Sequence, residues 1–181
     1  MIERVTDLVK EILIRKKDIN LAVDMTAGNG HDSAFILDVL GAKKLIAFDI
    51  QEEARENTLN LLGTRDNFSF ILDSHAHIDN YIKEKIDLAV YNLGYLPNSD
   101  KTITTRADST IESLKKVLGL LQKNGRVIIT IYPGHDQGKI EADRLEIFLE
   151  KLDPKDFAVL KLYYPNKTDI SPYVILIEKK F

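Results

Sequence analysis

The chain has 181 residues, 44% of them hydrophobic and 29% charged, which is globular composition and enough for one domain with a real core. It contains no cysteine, which excludes a disulfide framework, a thiol nucleophile and any cysteine-ligated zinc or iron–sulfur site. A formal net charge of −3 argues against broad, nonspecific nucleic-acid binding while leaving room for a local basic patch.

The first twenty residues, "MIERVTDLVKEILIRKKDIN", carry charge throughout. They lack the apolar segment of a signal peptide, and no run is long enough to span a bilayer, so a cytoplasmic protein without a membrane partner is expected. Ile2, Val5, Leu8, Val9, Ile12 and Leu13 fall at helical spacing and predict a helix over 2–17. A short apolar strand over 21–25 runs into "TAGNG", a tight turn, and 32–40 reads as the following helix. The pattern repeats with a strand at 43–50, a helix at 52–62, a strand at 68–73 and a short helix at 78–83. A buried strand at 86–92 ends in a Gly/Pro loop, followed by a helix at 109–122, a strand at 125–133 and a helix at 139–152. Two more strands, 157–164 and 173–180, close the chain.

Alternating strands and helices mean a parallel sheet covered on both faces. Only "PNKTDISP" separates the last two strands. That is too short for a helical crossover, so they should form an antiparallel hairpin. The expectation is a single α/β domain over residues 1–181, built on a Rossmann-like seven-stranded sheet with a C-terminal antiparallel hairpin.

In open sheets of this kind ligands bind beyond the carboxyl ends of the strands. Five segments should therefore share one cleft: "DMTAGNGHD", "FDIQ", "LDSHAH", "YNLGYLP" and "IYPGH". In the first, the glycines let the backbone approach a ligand at a helix N-terminus, with Ala27, Gly28, Asn29, His31 and Asp32 around it. Ser33 stands where a dinucleotide fingerprint has its third glycine. Asp49, about twenty residues on and followed by Gln51, is placed to accept the two hydroxyls of a ribose. Turn and carboxylate together suggest an adenosine. Both a nicotinamide cofactor and S-adenosylmethionine fit so far. The polar Asn29, His31, Asp32 and Ser33 favour the second, whose amino-acid tail needs donors and acceptors.

"LDSHAHIDN" has an HxHxD pattern similar to half of a dimetal motif. Asn80 takes the place of the next histidine, and the chain has four histidines in all, so such a site would lack ligands and no metal is expected. Asp73, Ser74 and His75 read instead as the adenine edge of the cleft, with His77 a surface residue at a helix start. At the fourth strand end, Asn92 can accept a hydrogen bond from an amine, and Gly94 and Tyr95 follow, the tyrosine offering a face for a base. Tyr132 and His135 come from the fifth, where His135 could take or relay a proton. Lys101, Arg106 and Lys139 are candidates for phosphate contacts, and Asp108 or Ser109 for a helix cap.

With these segments assembled, "DMTAGNGHD", "FDIQ", "NLGYLP…DK…TT" and "YPGH" resemble the small bacterial methyltransferases long labelled rRNA methylases and now understood as tRNA wobble-uridine enzymes, the MnmM (YtqB-like) family. The resemblance runs from the leading helix to the terminal hairpin, and "NLGYLP" is its most specific part. It implies a class I S-adenosylmethionine-dependent methyltransferase, with a tRNA anticodon arm as partner. The reaction implied is methylation of the exocyclic amine of 5-aminomethyl-uridine, with or without a 2-thio group, at wobble position 34. The chain departs from the family pattern at Asn98–Ser99 and at Asp136–Gln137, both in substrate-side loops. A homodimer is one way for so small a chain to grip an anticodon arm. The rival readings are a methyltransferase acting on rRNA or a small amine, a nicotinamide-dependent oxidoreductase, and a nucleotide-binding module without catalysis.

Overall fold

In the computed structural model, which describes residues 4–94 and 105–181, seven strands form one sheet. In chain order the elements are α1 (Val5–Leu13), β1 (Leu21–Asp24), α2 (His31–Asp38), β2 (Lys44–Asp49), α3 (Glu52–Leu62) and β3 (Phe68–Leu72). A 3-10 turn (His75–His77) leads into α4 (Ile78–Tyr81), then β4 (Ile86–Asn92), α5 (Ala107–Leu120), β5 (Leu121–Ile131), α6 (Asp136–Leu149), β6 (Phe157–Leu162) and β7 (Tyr173–Lys179). The sheet order is β3-β2-β1-β4-β5-β7-β6. β1 to β5 are parallel, and β7 runs antiparallel between β5 and β6. The order reverses between β1 and β4, the position at which a crevice opens beyond the strand ends.

The strands can be apolar on both sides because both faces are covered. On one face Val5, Val9 and Leu13 of α1, Ile36 and Leu37 of α2 and Leu62 of α3 pack on Ala22, Leu45, Leu88, Val90 and Ile128. On the other, Ile78, Leu114, Val117, Leu145 and Leu149 from α4, α5 and α6 pack on Val23, Phe48, Ala89, Tyr91 and Ile129. Full burial of such side chains contributes about 1.5–3 kcal/mol each. Among the described residues no helix is long and apolar enough to cross a membrane.

Three helices begin two or more residues away from the sequence expectation. The first begins at Val5, where the Arg4 N–H donates to Asp7 at 3.1 Å, and ends at Leu13. α5 begins at Ala107, with Arg106 in the N-cap position that Asp108 or Ser109 was expected to fill. Asp108 pairs with Arg144 instead, and the Ser109 hydroxyl donates to the Arg106 carbonyl at 2.9 Å. α6 begins at Asp136 rather than Lys139, because His135 caps it. The strand expected from Gly125 begins at Leu121, directly out of α5. Its register on β4 jumps between Ile86–Leu121 and Leu88–Arg126, and Asn124 is left-handed at φ 59°.

Candidate active site

β1 ends at Asp24, and its carboxylate organises the turn that follows. One oxygen accepts from the Ser33 hydroxyl at 2.7 Å and the other from the Thr26 N–H at 3.2 Å. Burial, with the charges of Asp32 and Asp49 nearby, raises its pKa to about 7. Gly28 and Gly30 have φ of 54° and 79°, the left-handed region that favours glycine. At Gly30 a Cβ would also meet Thr58 at 3.0 Å, so α3 packs too close for any side chain there. The missing third glycine has a physical reason: Ser33 is fully buried and supplies the hydroxyl that Asp24 needs.

Asp49, at the end of β2, reaches back to this turn. Its carboxylate accepts from the Gly28 N–H and the Gln51 N–H, each at 3.0 Å. Burial raises its pKa, and those backbone bonds oppose the shift. The Asn57 amide donates to Asn29 at 2.9 Å, and the Thr58 hydroxyl donates to the Gly28 carbonyl at 3.2 Å, so α3 braces the turn from behind.

Beyond β3, Asp73 accepts from the Ser74 N–H and the Tyr81 hydroxyl and pairs with His77 Nδ1 at 2.9 Å. His77 is exposed, as expected, but it has a specific partner: its hydrogen bond, then that of Tyr81, holds the Asp73 carboxyl below the usual range. His75 is buried edge-on to Tyr91, at 5.8 Å between ring centres. Burial pushes its pKa down to about 4, so the ring is neutral at pH 7. Its Nδ1 has no hydrogen-bond partner among the described residues. The three members of the HxHxD pattern thus face different neighbours: His75 faces Tyr91, His77 faces Asp73, and Asp79 pairs with Lys116 at 2.8 Å. Among the described residues no group of three or more His, Asp or Glu side chains could hold a metal ion.

β4 delivers Asn92 beside the glycine turn. Its N–H donates to the Thr26 hydroxyl at 2.7 Å, and its side-chain Nδ2 donates to Asp32 at 3.3 Å. Burial raises the Asp32 carboxyl and the Asn92 bond opposes it. Gly94 follows at φ 143°. Its N–H donates to the Thr105 hydroxyl at 3.0 Å, and its carbonyl accepts from the Thr105 N–H at 3.1 Å, so the chain returns to within hydrogen-bond reach after eleven residues.

The Thr105 hydroxyl donates in turn to Glu141 of α6 at 2.7 Å, and the Thr110 hydroxyl of α5 donates to the other Glu141 oxygen at 2.6 Å. Glu141 is 2% exposed, and burial raises its pKa against the pull of those two bonds. A buried carboxylate thus ties the neck of the 94–105 segment to two helices. Beyond β5, Tyr132 is half-buried, and His135 Nδ1 accepts from the Gly138 N–H at 3.0 Å. A Cβ on Gly138 would lie 2.2 Å from the Tyr132 carbonyl oxygen, so α6 approaches this turn as closely as only glycine allows.

These segments line one cleft of about 1040 Å³. Ala27, Gly28, Asn29, His31, Asp32, Asp49, Gln51, Asp73, Ser74, His75, Asn92, Gly94, Arg106, Tyr132 and His135, all named from the sequence, stand in its wall. Lys139 is exposed on α6 and is not part of that wall, while Tyr95 and Lys101 lie outside the described residues. The wall also includes Thr26, Thr105, Ser109, Ile170 and Pro172, which sequence reasoning missed. The second threonine of the "TT" pair was a signal for Thr105; Ile170 and Pro172 sat in a segment read only as a connection.

Residues 45–178 match the model of the family described as "Putative rRNA methylase". Over 97% of its length the chain is 30% identical to the Arabidopsis thaliana chloroplastic tRNA (mnm(5)s(2)U34)-methyltransferase, covering 68% of that protein. A crystal structure from Clostridium thermocellum, described in the same words as the family, superposes with a TM-score of 0.93 at 33% identity over 99% of both chains. A Streptococcus mutans protein solved in complex with S-adenosylhomocysteine superposes with a TM-score of 0.88 at 36% identity, again over 99% of both. A seven-stranded sheet with an antiparallel C-terminal pair, these relatives and the cofactor product bound in one of them agree: the chain belongs to the rRNA methylase family and is a class I S-adenosylmethionine-dependent methyltransferase.

Proposed function

We propose that the protein methylates the exocyclic amine of 5-aminomethyl-uridine, with or without 2-thiolation, at wobble position 34 of tRNA, yielding 5-methylaminomethyl-uridine. The plant relative's name carries that reaction for the plant protein. The observation in this chain that supports it is the Asn92–Asp32 pair, at the seam between the glycine turn and the 94–105 neck. Because Nδ2 of Asn92 donates to Asp32, its Oδ1 is turned to accept, and an amine hydrogen is what it would receive.

The cleft residues fit the cofactor. Asp49, fixed by two backbone donors, would accept from ribose hydroxyls, and the buried, unpartnered His75 Nδ1 would lie at the adenine edge. Asn29, His31 and Asp32, in the same wall, would surround the amino-acid tail. S-adenosylmethionine supplies an already activated methyl group, so the chain's part is alignment and proton handling. Asn92 would hold the acceptor nitrogen in line, and Tyr132, with Tyr95, would stack the splayed-out base. A wobble nucleotide lies in a single-stranded loop, where splaying costs little. Arg106, at the mouth, would meet phosphate, with Lys101 and Lys139 as the further cationic contacts.

The amine enters protonated and must lose a proton before it attacks. Burial in the cleft favours the neutral form. His135, or water, would receive that proton in this reading, and His135 carries a competing duty. Its Nδ1 accepts from the Gly138 N–H and so is already engaged in capping α6.

The test is methyl transfer to tRNA bearing 5-aminomethyl-uridine, followed by mass spectrometry of the wobble nucleoside. Methylaminomethyl-uridine is the expected product, and Asn92→Ala should cut turnover by about a hundredfold or more while cofactor affinity stays within a few-fold. Transfer to a small amine, with none to this tRNA, would overturn the RNA reading.

A further inference from the structure

A second cavity, of about 430 Å³, lies in the loop joining β6 to β7, outside the strand ends considered so far. Tyr163, Tyr164 and Tyr173 line it with Pro165 and Pro172, and Lys161 and Lys167 stand at its walls. The pairing of Ile131 with Tyr173 brings this loop to the carboxyl end of β5, the end at which the cleft opens. Pro172 borders both cavities and Ile170 lines the cleft. The carbonyl of Ile170 lies 3.5 Å from where a Gly134 Cβ would be, so the loop packs against the turn that carries His135.

The chemistry of this cavity is aromatic with cations held over the rings. Lys167 Nζ lies 4.0 Å from the centre of Tyr164, and Lys161 Nζ 4.5 Å from Tyr173 while paired with Glu146 at 2.7 Å. Turns from Lys167 to Tyr164 and from Ser171 to Thr168 hold the loop's shape. Tyr163 is 63% exposed, as is Ile170, so the loop presents an open ring beside the cleft. The volume suits one base with its sugar. Asp169 and Glu146 offset the lysines, which favours stacking over a pure phosphate site.

We infer that the β6–β7 loop forms a second nucleotide subsite, which takes a single-stranded RNA nucleotide neighbouring the one held in the cleft by stacking it on Tyr163. The inference rests on the RNA reading of the cleft. It assigns the hairpin, whose Ile170 and Pro172 already border the cleft, a share of substrate affinity. Stacking one base on an aromatic side chain is worth enough that its loss should weaken RNA binding about tenfold.

The experiment is a fluorescence-anisotropy titration of labelled anticodon stem-loop RNA with the protein saturated in S-adenosylhomocysteine. Tyr163→Ala should raise Kd about tenfold, and Tyr163→Phe, which keeps the ring, should restore it. Turnover on the free nucleoside, which has no neighbour to place in the loop, should be the same for wild type and Tyr163→Ala. Equal affinity of Tyr163→Ala and wild type for the stem-loop overturns the subsite, as does a wild-type protein that does not bind the stem-loop. Tyr163-dependent binding without methyl transfer would instead sink the wobble-uridine reading and leave the subsite standing.

Discussion

The two halves of the cleft are built by different means. On the cofactor side, carboxylates at strand ends hold the glycine turn chiefly by its backbone N–H groups: Asp49 holds those of Gln51 and Gly28, and Asp24 holds that of Thr26 together with the Ser33 hydroxyl. On the acceptor side, side chains bind side chains across long stretches of sequence, with Glu141 reaching Thr105 and Thr110 over 36 and 31 residues. The first arrangement is a property of neighbouring strands and survives wherever the sheet forms. The second depends on how α5 and α6 dock. A fold can therefore keep one cofactor turn while its acceptor side is retuned through helix packing.

If that division holds, damage to each side should be separable, and the largest effect falls on the cofactor half. Asp49→Ala removes a carboxylate that braces Gly28 and, in the proposed reading, would accept from the ribose. Charge-assisted hydrogen bonds contribute about 1.5–3 kcal/mol each, so affinity for S-adenosylmethionine should fall about a hundredfold by calorimetry. Retained affinity would mean that the glycine turn stands without its carboxylate.

Glu141→Ala is the complementary break. It strands two hydroxyls, one fully buried, and leaves a cavity, at a cost of about 3 kcal/mol in denaturant unfolding. Turnover on tRNA should fall at least tenfold through kcat, with cofactor affinity within about twofold. Glu141→Gln, whose amide can still bond both threonines, should recover most of the stability and turnover. If both variants lose cofactor affinity in step with activity, the two halves are not independent.

The same division explains what could be read from sequence. Strand ends were legible because an apolar run stops at a chemistry-bearing residue, so Asp49, Asp73 and Asn92 announce themselves locally, whereas Asp24, inside the apolar stretch 21–25, does not. Glu141 sits in "KIEADRLEIFLEK", where it looks like any solvated helical glutamate, and only the docking of α5 makes it a buried acceptor. Gly138 reads as the end of a turn, although its lack of a side chain is what lets α6 approach Tyr132. The starts of α5 and α6 were placed late for a related reason. Arg106 and His135 are not the residues that propensity puts at an N-cap, and His135 takes the role through a ring nitrogen. The β6–β7 loop was read by length alone, which fixed the hairpin and concealed its rings.

The smallest effect tests whether the buried carboxylates on the cofactor side act as one electrostatic unit. Asp24 is raised to about 7, and Asp32 and Asp49 are raised as well, each chiefly by burial. A carboxyl whose folded pKa exceeds its unfolded value near 3.9 binds more protons in the folded state between those limits. Stability of the cofactor-free protein should therefore decline as pH rises from about 4 to about 7 on account of Asp24, and Asp24→Asn should flatten that slope. A cation placed near the cluster favours its ionised form and reverses the sign for binding. S-adenosylmethionine has a positive sulfonium where S-adenosylhomocysteine has a neutral sulfur, so the ratio of their affinities isolates this one charge. Between pH 5.5 and 8 that ratio should move about three- to tenfold towards S-adenosylmethionine, measured by parallel titrations. A ratio that stays flat would place the sulfonium beyond the reach of Asp24, and confine the carboxylates of this half to holding backbone.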